Sequence, residues 1–302
     1  MSSTKKKLEE LNVIDDFLMN RLASDACIGE EFCRLLLSTL LQRKIGKVAV
    51  TVQKVIPPFS PERKGIRMDV RVEETADVPE GKKRTAMNVF DIEPHLLKNT
   101  KLAKHNRFYQ ALHDTGCMRS GQKDYEALPD LYVLMILDED PFGYDYMIYS
   151  IRNKCEEVQE LEYEDGLRFY YFYTKGKQGG NEEIKAMLRY IGDSRRENVT
   201  DTVTEKLHAF TENIKIRPEV RESYMLWEEY EEMMREEGRI EGRVEGKAEE
   251  SRETIFDFLR EKGHISEDTA ARINAEKDRK TLRKWVRLAA VTDSIADFEA
   301  GI

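Results

Sequence analysis

The chain lacks the features that mark secreted, membrane-spanning and nucleotide-driven proteins. Its 302 residues hold four cysteines, Cys27, Cys33, Cys117 and Cys155, scattered without a C-x-x-C pair. A disulfide framework or structural zinc site is therefore not expected, and reduced thiols suit a cytoplasm. The longest apolar runs, such as LYVLMIL at 131–137, fall far short of the roughly 20 residues a bilayer requires. The opening MSSTKKKLEELN is charged and has no apolar leader segment. The expectation is a soluble cytoplasmic protein with no membrane partner. No G-x-x-x-x-G-K-[ST] loop occurs, so no nucleotide cofactor is expected. Neither a G-x-S-x-G turn nor a Cys–His pair stands out. His105 and His113 lie eight apart with no third ligand in register, which argues against zinc. Basic residues are also in deficit: 49 Lys and Arg against 58 Asp and Glu leave a net charge of −9. That excludes an all-over basic coat and leaves room only for a local basic patch.

What is present is patterned. Residues 7–42 read as helical with a break near ASDACIG, and EEFCRLLLSTLLQR (30–43) carries a wide apolar face that Gly46 ends. KVAVTVQKVI (47–56) is β-branched and alternating, and PPFSPERKG is a loop. IRMDVRVEE (66–74) alternates strictly, with Ile66, Met68, Val70 and Val72 on one face and Arg67, Asp69, Arg71 and Glu73 on the other. RTAMNVFDIE (84–93) is the next strand, Lys104–Cys117 is helical, and LYVLMIL suits a strand buried on both faces. Helix, three strands, helix, strand is a mixed α/β layer arrangement. Beyond it come aromatic, strand-rich additions, then helices. EEGRIEGRVEGKAEE (236–250) repeats every four residues, with Gly238, Gly242 and Gly246 nearly in line on a helix. Each glycine costs roughly 1 kcal/mol there. The segment reads as a solvated, semi-helical linker, with a small-residue seam for self-association as the alternative. The domain reading is a core at 1–150, a mixed then helical extension at 151–235, a charged E-G-R linker at 236–252 and a small helical segment at 253–302.

NVFDIEPH (88–95) carries the chemistry. On a strand Asp91, Glu93 and His95 point the same way. If this strand pairs with the preceding one, Asp69 and Glu93 become neighbours across the ladder. Two adjacent carboxylates repel unless a cation lies between them, and such hard oxygen donors suit Mg²⁺ or Mn²⁺. Acidic residues on an exposed strand face are the plainer alternative.

GIRMDVRVEE, NVFDIEPH, HNRFYQALHDTG, YEALPDLYVLMILDEDPFG and the E-G-R repeats, in this order, resemble the PD-(D/E)XK nuclease superfamily. Within it, the likeness is to the recombination-promoting nuclease and putative transposase branch. The resemblance implies a restriction-endonuclease-like core (α/β, a mixed sheet flanked by helices) with a largely helical C-terminal extension. It implies a Mg²⁺- or Mn²⁺-dependent DNA endonuclease serving DNA recombination, with Asp69, Glu93 and the carbonyl of Pro94 as metal ligands and Asp91 as a further candidate. The first helix of such proteins often lends a glutamate, here Glu30 or Glu31. The pattern departs at residue 95, where His95 stands in place of Lys or Gln. The imidazole could take a proton from the attacking water, or Lys104 on the following helix could substitute. Lys98, Lys101, Lys104 and Arg107 form the basic patch expected to hold DNA phosphates, and Tyr109 is expected to pack under the site. Cutting two strands would suit a homodimer. The rival expectations are a degenerate member that binds DNA or a protein without cleavage and, last, a structural oligomerising protein.

Overall fold

Alternation of β-branched and polar residues builds the first half of a sheet, and a continuous apolar run builds its centre. The computed structural model describes residues 6–56, 66–75, 86–95, 101–118, 124, 125 and 128–302. Its strands are β1 (Lys47–Ile56), β2 (Ile66–Thr75), β3 (Ala86–His95), β4 (Asp130–Leu137), β5 (Ile148–Ile151) and β6 (Leu167–Tyr173). They form one six-stranded mixed sheet in the order β1-β2-β3-β4-β6-β5. β1, β2 and β3 pair antiparallel; β4 lies parallel to β3 and β6 parallel to β4; β5 closes the edge antiparallel to β6. The parallel step from β3 to β4 is made by α3 (Leu102–Cys117), as a parallel pair requires.

The helices cover both faces. Val89, Leu131, Val133, Met135, Leu167 and Tyr171 share one face and pack with Leu102 of α3. Val70, Val72, Phe90 and Ile92 are fully buried on the other. The helices α1 (Asp16–Ser24) and α2 (Gly29–Leu41) pack against β1. Past the end of α2, the Arg43 guanidinium lies over the rings of Phe90 and Tyr132, 5.3 Å from each centroid. α2 brings Phe32, Cys33, Leu36 and Leu37 into the core. It stops at Gln42, whose φ of 50° leaves the helical region, four residues before Gly46. The sheet is followed by α4 (Glu182–Gly192) and α5 (Thr202–Lys215). Asn181 caps α4 and Asp201 caps α5, each side chain accepting a backbone N–H of the first turn.

Two compact units divide the chain, Met1–Tyr224 and Met225–Ile302. The first holds the sheet and α1–α5. The second is helical: the later part of α6 (Pro218–Arg260), with α7 (Glu267–Ala275), α8 (Arg279–Val291) and α9 (Ile295–Gly301). Ile255, Leu259, Ile273, Leu282, Trp285, Ala289 and Phe298 form its core. Ser266, Asp278 and Ser294 cap its last three helices. Among the described residues no helix is long and apolar enough to cross a membrane.

The E-G-R repeat differs from the linker read in the sequence: it is the interior of α6, a continuous helix of 43 residues. Its glycines have open space where a Cβ would go, with nothing within 4 Å, so among the described residues no packed seam forms at them. The repeat alternates glycine with Glu and Arg, which are good helix formers, and Glu236 pairs with Arg239 one turn on. Replacing Gly238, Gly242 and Gly246 together by Ala should therefore stabilise α6 by about 1 kcal/mol per site. Circular dichroism would show the gain as higher helicity and a later melt. A loss would mean that something approaches those glycines.

Candidate active site

The antiparallel register of β2 and β3 sets the site. Val70 pairs with Ile92 and Arg71 with Asp91. One step beyond Val70, the backbone N–H of Asp69 donates to Glu93 Oε1 at 3.2 Å. Period-two alternation then puts Asp69, Arg71 and Glu73 of β2 and Asp91 and Glu93 of β3 on one face, the face that α3 covers. That face is not the solvated strand surface its polarity suggests: Asp91 is 1% exposed and Glu93 6%. Asp69 is half-buried, and Pro94 is buried.

Burial of this kind is costly for a carboxylate. Neither oxygen of Asp91 has a hydrogen-bond partner, and the acid beside it, Glu93, offers one only when one of the two holds a proton. Burial pushes Asp91 up to about 7; the charge of Asp69 adds to the rise, while Glu93 as a hydrogen-bond partner, His113 and Arg71 oppose it. Glu93 is raised well above the carboxylate range by burial, then by the charges of Asp91 and Asp69, against the Asp69 N–H. Arg71, itself buried, gives its Nε to Glu73 at 2.8 Å. The net result is a buried pocket whose acids resist ionisation unless positive charge enters beside them.

Such a pocket fits a hard divalent cation in its donor chemistry. Asp91 supplies two desolvated oxygens beside the Glu93 acid, and Asp69 and Glu93 supply more. The side chains are not already gathered round a common point: among the described residues no group of three His, Cys, Asp or Glu is placed to hold an ion. Glu93 is turned back onto the Asp69 amide instead.

The other sequence-derived candidates are distributed as follows. His95 is the last residue of β3, and its side chain lies outside the described residues, as does Lys98. Lys101, Lys104 and Arg107 are exposed on the first turns of α3. Tyr109, on the same helix, stacks against His105 with centroids 4.1 Å apart. Glu30 is exposed and Glu31 pairs with Lys206 of α5.

Sequence reading missed a second constellation on the same helix. His113 is 2% exposed. Its Nδ1 lies 3.2 Å from Asp114 Oδ1, and its Nε2 lies 3.7 Å from Cys117 Sγ. The signal was there as H-x-x-x-C at helical spacing, four residues apart and so on one helix face.

No family model, curated protein or solved structure matches this chain.

Proposed function

We propose that the chain is a metal-dependent DNA endonuclease with a restriction-endonuclease-like core, of the recombination-promoting PD-(D/E)XK type. The observation that carries this reading is the pair Asp91 and Glu93, two acids buried together on β3 with Asp69 beside them. A fold that keeps such a pair bears an electrostatic cost that a bound cation removes. Three antiparallel strands, a crossover helix and a parallel fourth strand also accord with the core that the sequence resembles.

Asp69, Glu93 and Asp91, with the Pro94 carbonyl, would hold Mg²⁺ or Mn²⁺. Bound there, the ion would polarise a scissile phosphate and acidify a water. The chain's own residues do the rest. His95, two positions beyond Glu93 in sequence, would serve as the proton acceptor for that water, and Lys104 is the alternative. Lys101, Lys104 and Arg107 offer phosphates a cationic surface at the N-terminal end of α3, where the helix dipole adds to their charge. Lys98 belongs to the same sequence patch. Binding through these cations weakens as salt rises, with a slope set by the number of phosphates they neutralise.

Nicking of supercoiled plasmid at low salt, with Mg²⁺ or Mn²⁺ against EDTA, tests the proposal. Metal-dependent conversion to open circles supports it. Retardation of DNA without nicking would instead establish the second reading, a fold that binds without cleaving. One observation favours that reading: Glu93 is engaged by the Asp69 amide and the acids do not converge.

Two-strand cleavage calls for two copies of the site. α6 offers a surface for that, since Leu226, Tyr230, Met233, Ile240 and Val244 are each about half exposed or more and recur at near-heptad spacing. Light scattering on the full chain should give twice the 35.3 kDa of one copy, and Ile240→Glu should return it to the monomer. A wild-type monomer at tens of micromolar would rule the dimer out.

A further inference from the structure

We infer that Cys117 is a reactive thiol, activated by His113 and Asp114, whose sulfur is a site of oxidation by hydroperoxides. The inference stands on the geometry at the end of α3 and is independent of whether the carboxylate site cleaves DNA. Cys117 and His113 are one helical turn apart, so the fold itself brings Sγ to 3.7 Å from Nε2. Asp114 meets the other ring nitrogen at 3.2 Å and thereby orients the imidazole with Nε2 toward the sulfur. A nucleophile, a base and a group that orients the base are the arrangement that makes a weak nucleophile strong.

The charged surroundings act in the same sense. On Cys117, burial works against ionisation, but the hydrogen bond and charge of His113, then the charge of Arg71, outweigh it and the thiol is held below its ordinary range, with Asp114 opposing. On His113, burial favours the neutral ring, yet bonds to Asp114 and Cys117 hold it above its ordinary range, against the charge of Arg71. Asp91 of β3 is a further charge that His113 feels. Both shifts favour the thiolate–imidazolium pair over what an isolated thiol and imidazole would hold. Cys117 is half-buried, open enough for a small oxidant.

The reaction balances with the groups present and one hydroperoxide. The thiolate sulfur attacks the terminal peroxide oxygen and an S–O bond forms as the O–O bond breaks. The sulfur is oxidised to a sulfenic acid and the peroxide is reduced to an alcohol, or to water from hydrogen peroxide. The departing oxygen takes its proton from His113.

The other three cysteines are internal controls in the same experiment. Cys27 is exposed, Cys155 is half-buried with its sulfur facing the Glu157 carboxylate, and Cys33 is buried and pushed up to about 12 by burial, then by Glu30. Exposure alone ranks Cys27 first; activation ranks Cys117 first. The full reduced chain is treated with hydrogen peroxide and a sulfenic-acid trap, or separately with iodoacetamide, from pH 6 to 9. Site occupancy is then read by peptide mass spectrometry. Cys117 is expected to react at least tenfold faster than Cys27 at pH 6.5, with a rate that flattens where an unassisted thiol still climbs toward about 8.5. His113→Gln should remove that advantage and Asp114→Asn should reduce it, with Cys33 still unlabelled as proof that each variant is folded. Cys117 reacting no faster than Cys27 in the wild type would overturn the inference, as would an unchanged rate in a folded His113→Gln chain.

Discussion

Asp69→Asn and Glu93→Gln are each expected to lower the proposed metal-dependent plasmid nicking by a factor of roughly 10³, without loss of DNA retardation on a gel. Both substitutions keep the size of the side chain. Glu93→Gln also keeps an oxygen that can accept the Asp69 N–H, a hydrogen bond that ties β2 to the Glu93 side chain. What is lost is negative charge at the point where the proposed cation would sit, and removing one such electrostatic stabiliser from an active site costs about 2.7–4 kcal/mol of barrier. Asp69 is half-buried and its charge acts on both Asp91 and Glu93, so its loss should weaken metal binding as well as turnover. Raising Mn²⁺ would then recover part of the Asp69→Asn activity and less of the Glu93→Gln activity. Nicking that survives in both variants would place the chemistry away from β2 and β3. His95→Ala and Lys104→Ala then divide the proton acceptor between them: the true acceptor is the residue whose loss flattens the rise of rate with pH.

Much of this arrangement was legible in the sequence, for a definite reason. Strict alternation fixes which side chains share a face, and two consecutive alternating runs joined by a polar connection pair antiparallel. The bounds of β1 and β2 and the juxtaposition of Asp69 with Glu93 follow from that alone. The burial of Asp91 and Glu93 does not follow, because it depends on what covers the face. α3, which covers it, is contributed by a later stretch of chain, and DIEPH by itself looks like a solvated edge. The order of the last strands was equally hidden: β6 inserts between β4 and β5, a choice set by long-range packing of Tyr171 and Leu167 with β4 rather than by local pattern. The E-G-R repeat shows the opposite error. Local propensity alone makes three glycines a weak point, yet the helix continues into turns anchored by Ile255 and Leu259, and tertiary packing of one end carries the rest.

Asp91→Asn should make the metal-free protein more stable at pH 8 and leave it nearly unchanged at pH 4. The reason is linkage. In the unfolded chain Asp91 ionises near the ordinary carboxylate value; in the folded chain burial pushes it up to about 7. Below the unfolded value both states carry the proton and the carboxyl costs nothing. As pH rises through the interval to about 7, the unfolded chain gives up its proton first, so folding loses about 1.4 kcal/mol per pH unit from this group. Above about 7 the loss is complete and constant. Glu93, raised by the same burial and by Asp91 itself, adds a loss of the same sign. An asparagine removes the Asp91 part, relieves Glu93 of one adjacent charge, and can donate an amide N–H to the Glu93 carboxylate. The gain at pH 8 should be on the order of 2–4 kcal/mol, or roughly 5–12 °C in Tm for a unit of this size. Mg²⁺ reverses the order: it should raise the Tm of the wild type at pH 8, by binding where the acids repel, and should raise that of Asp91→Asn much less. Scanning calorimetry at pH 4 and pH 8, with EDTA and with Mg²⁺, reads all four cases. A variant less stable than wild type in EDTA at pH 8 would mean that Asp91 has a structural partner. Equal Mg²⁺ shifts in the two chains would remove Asp91 from the metal site while leaving the electrostatic cost in place. The stability that this side chain forgoes is the measure of what the fold keeps it for.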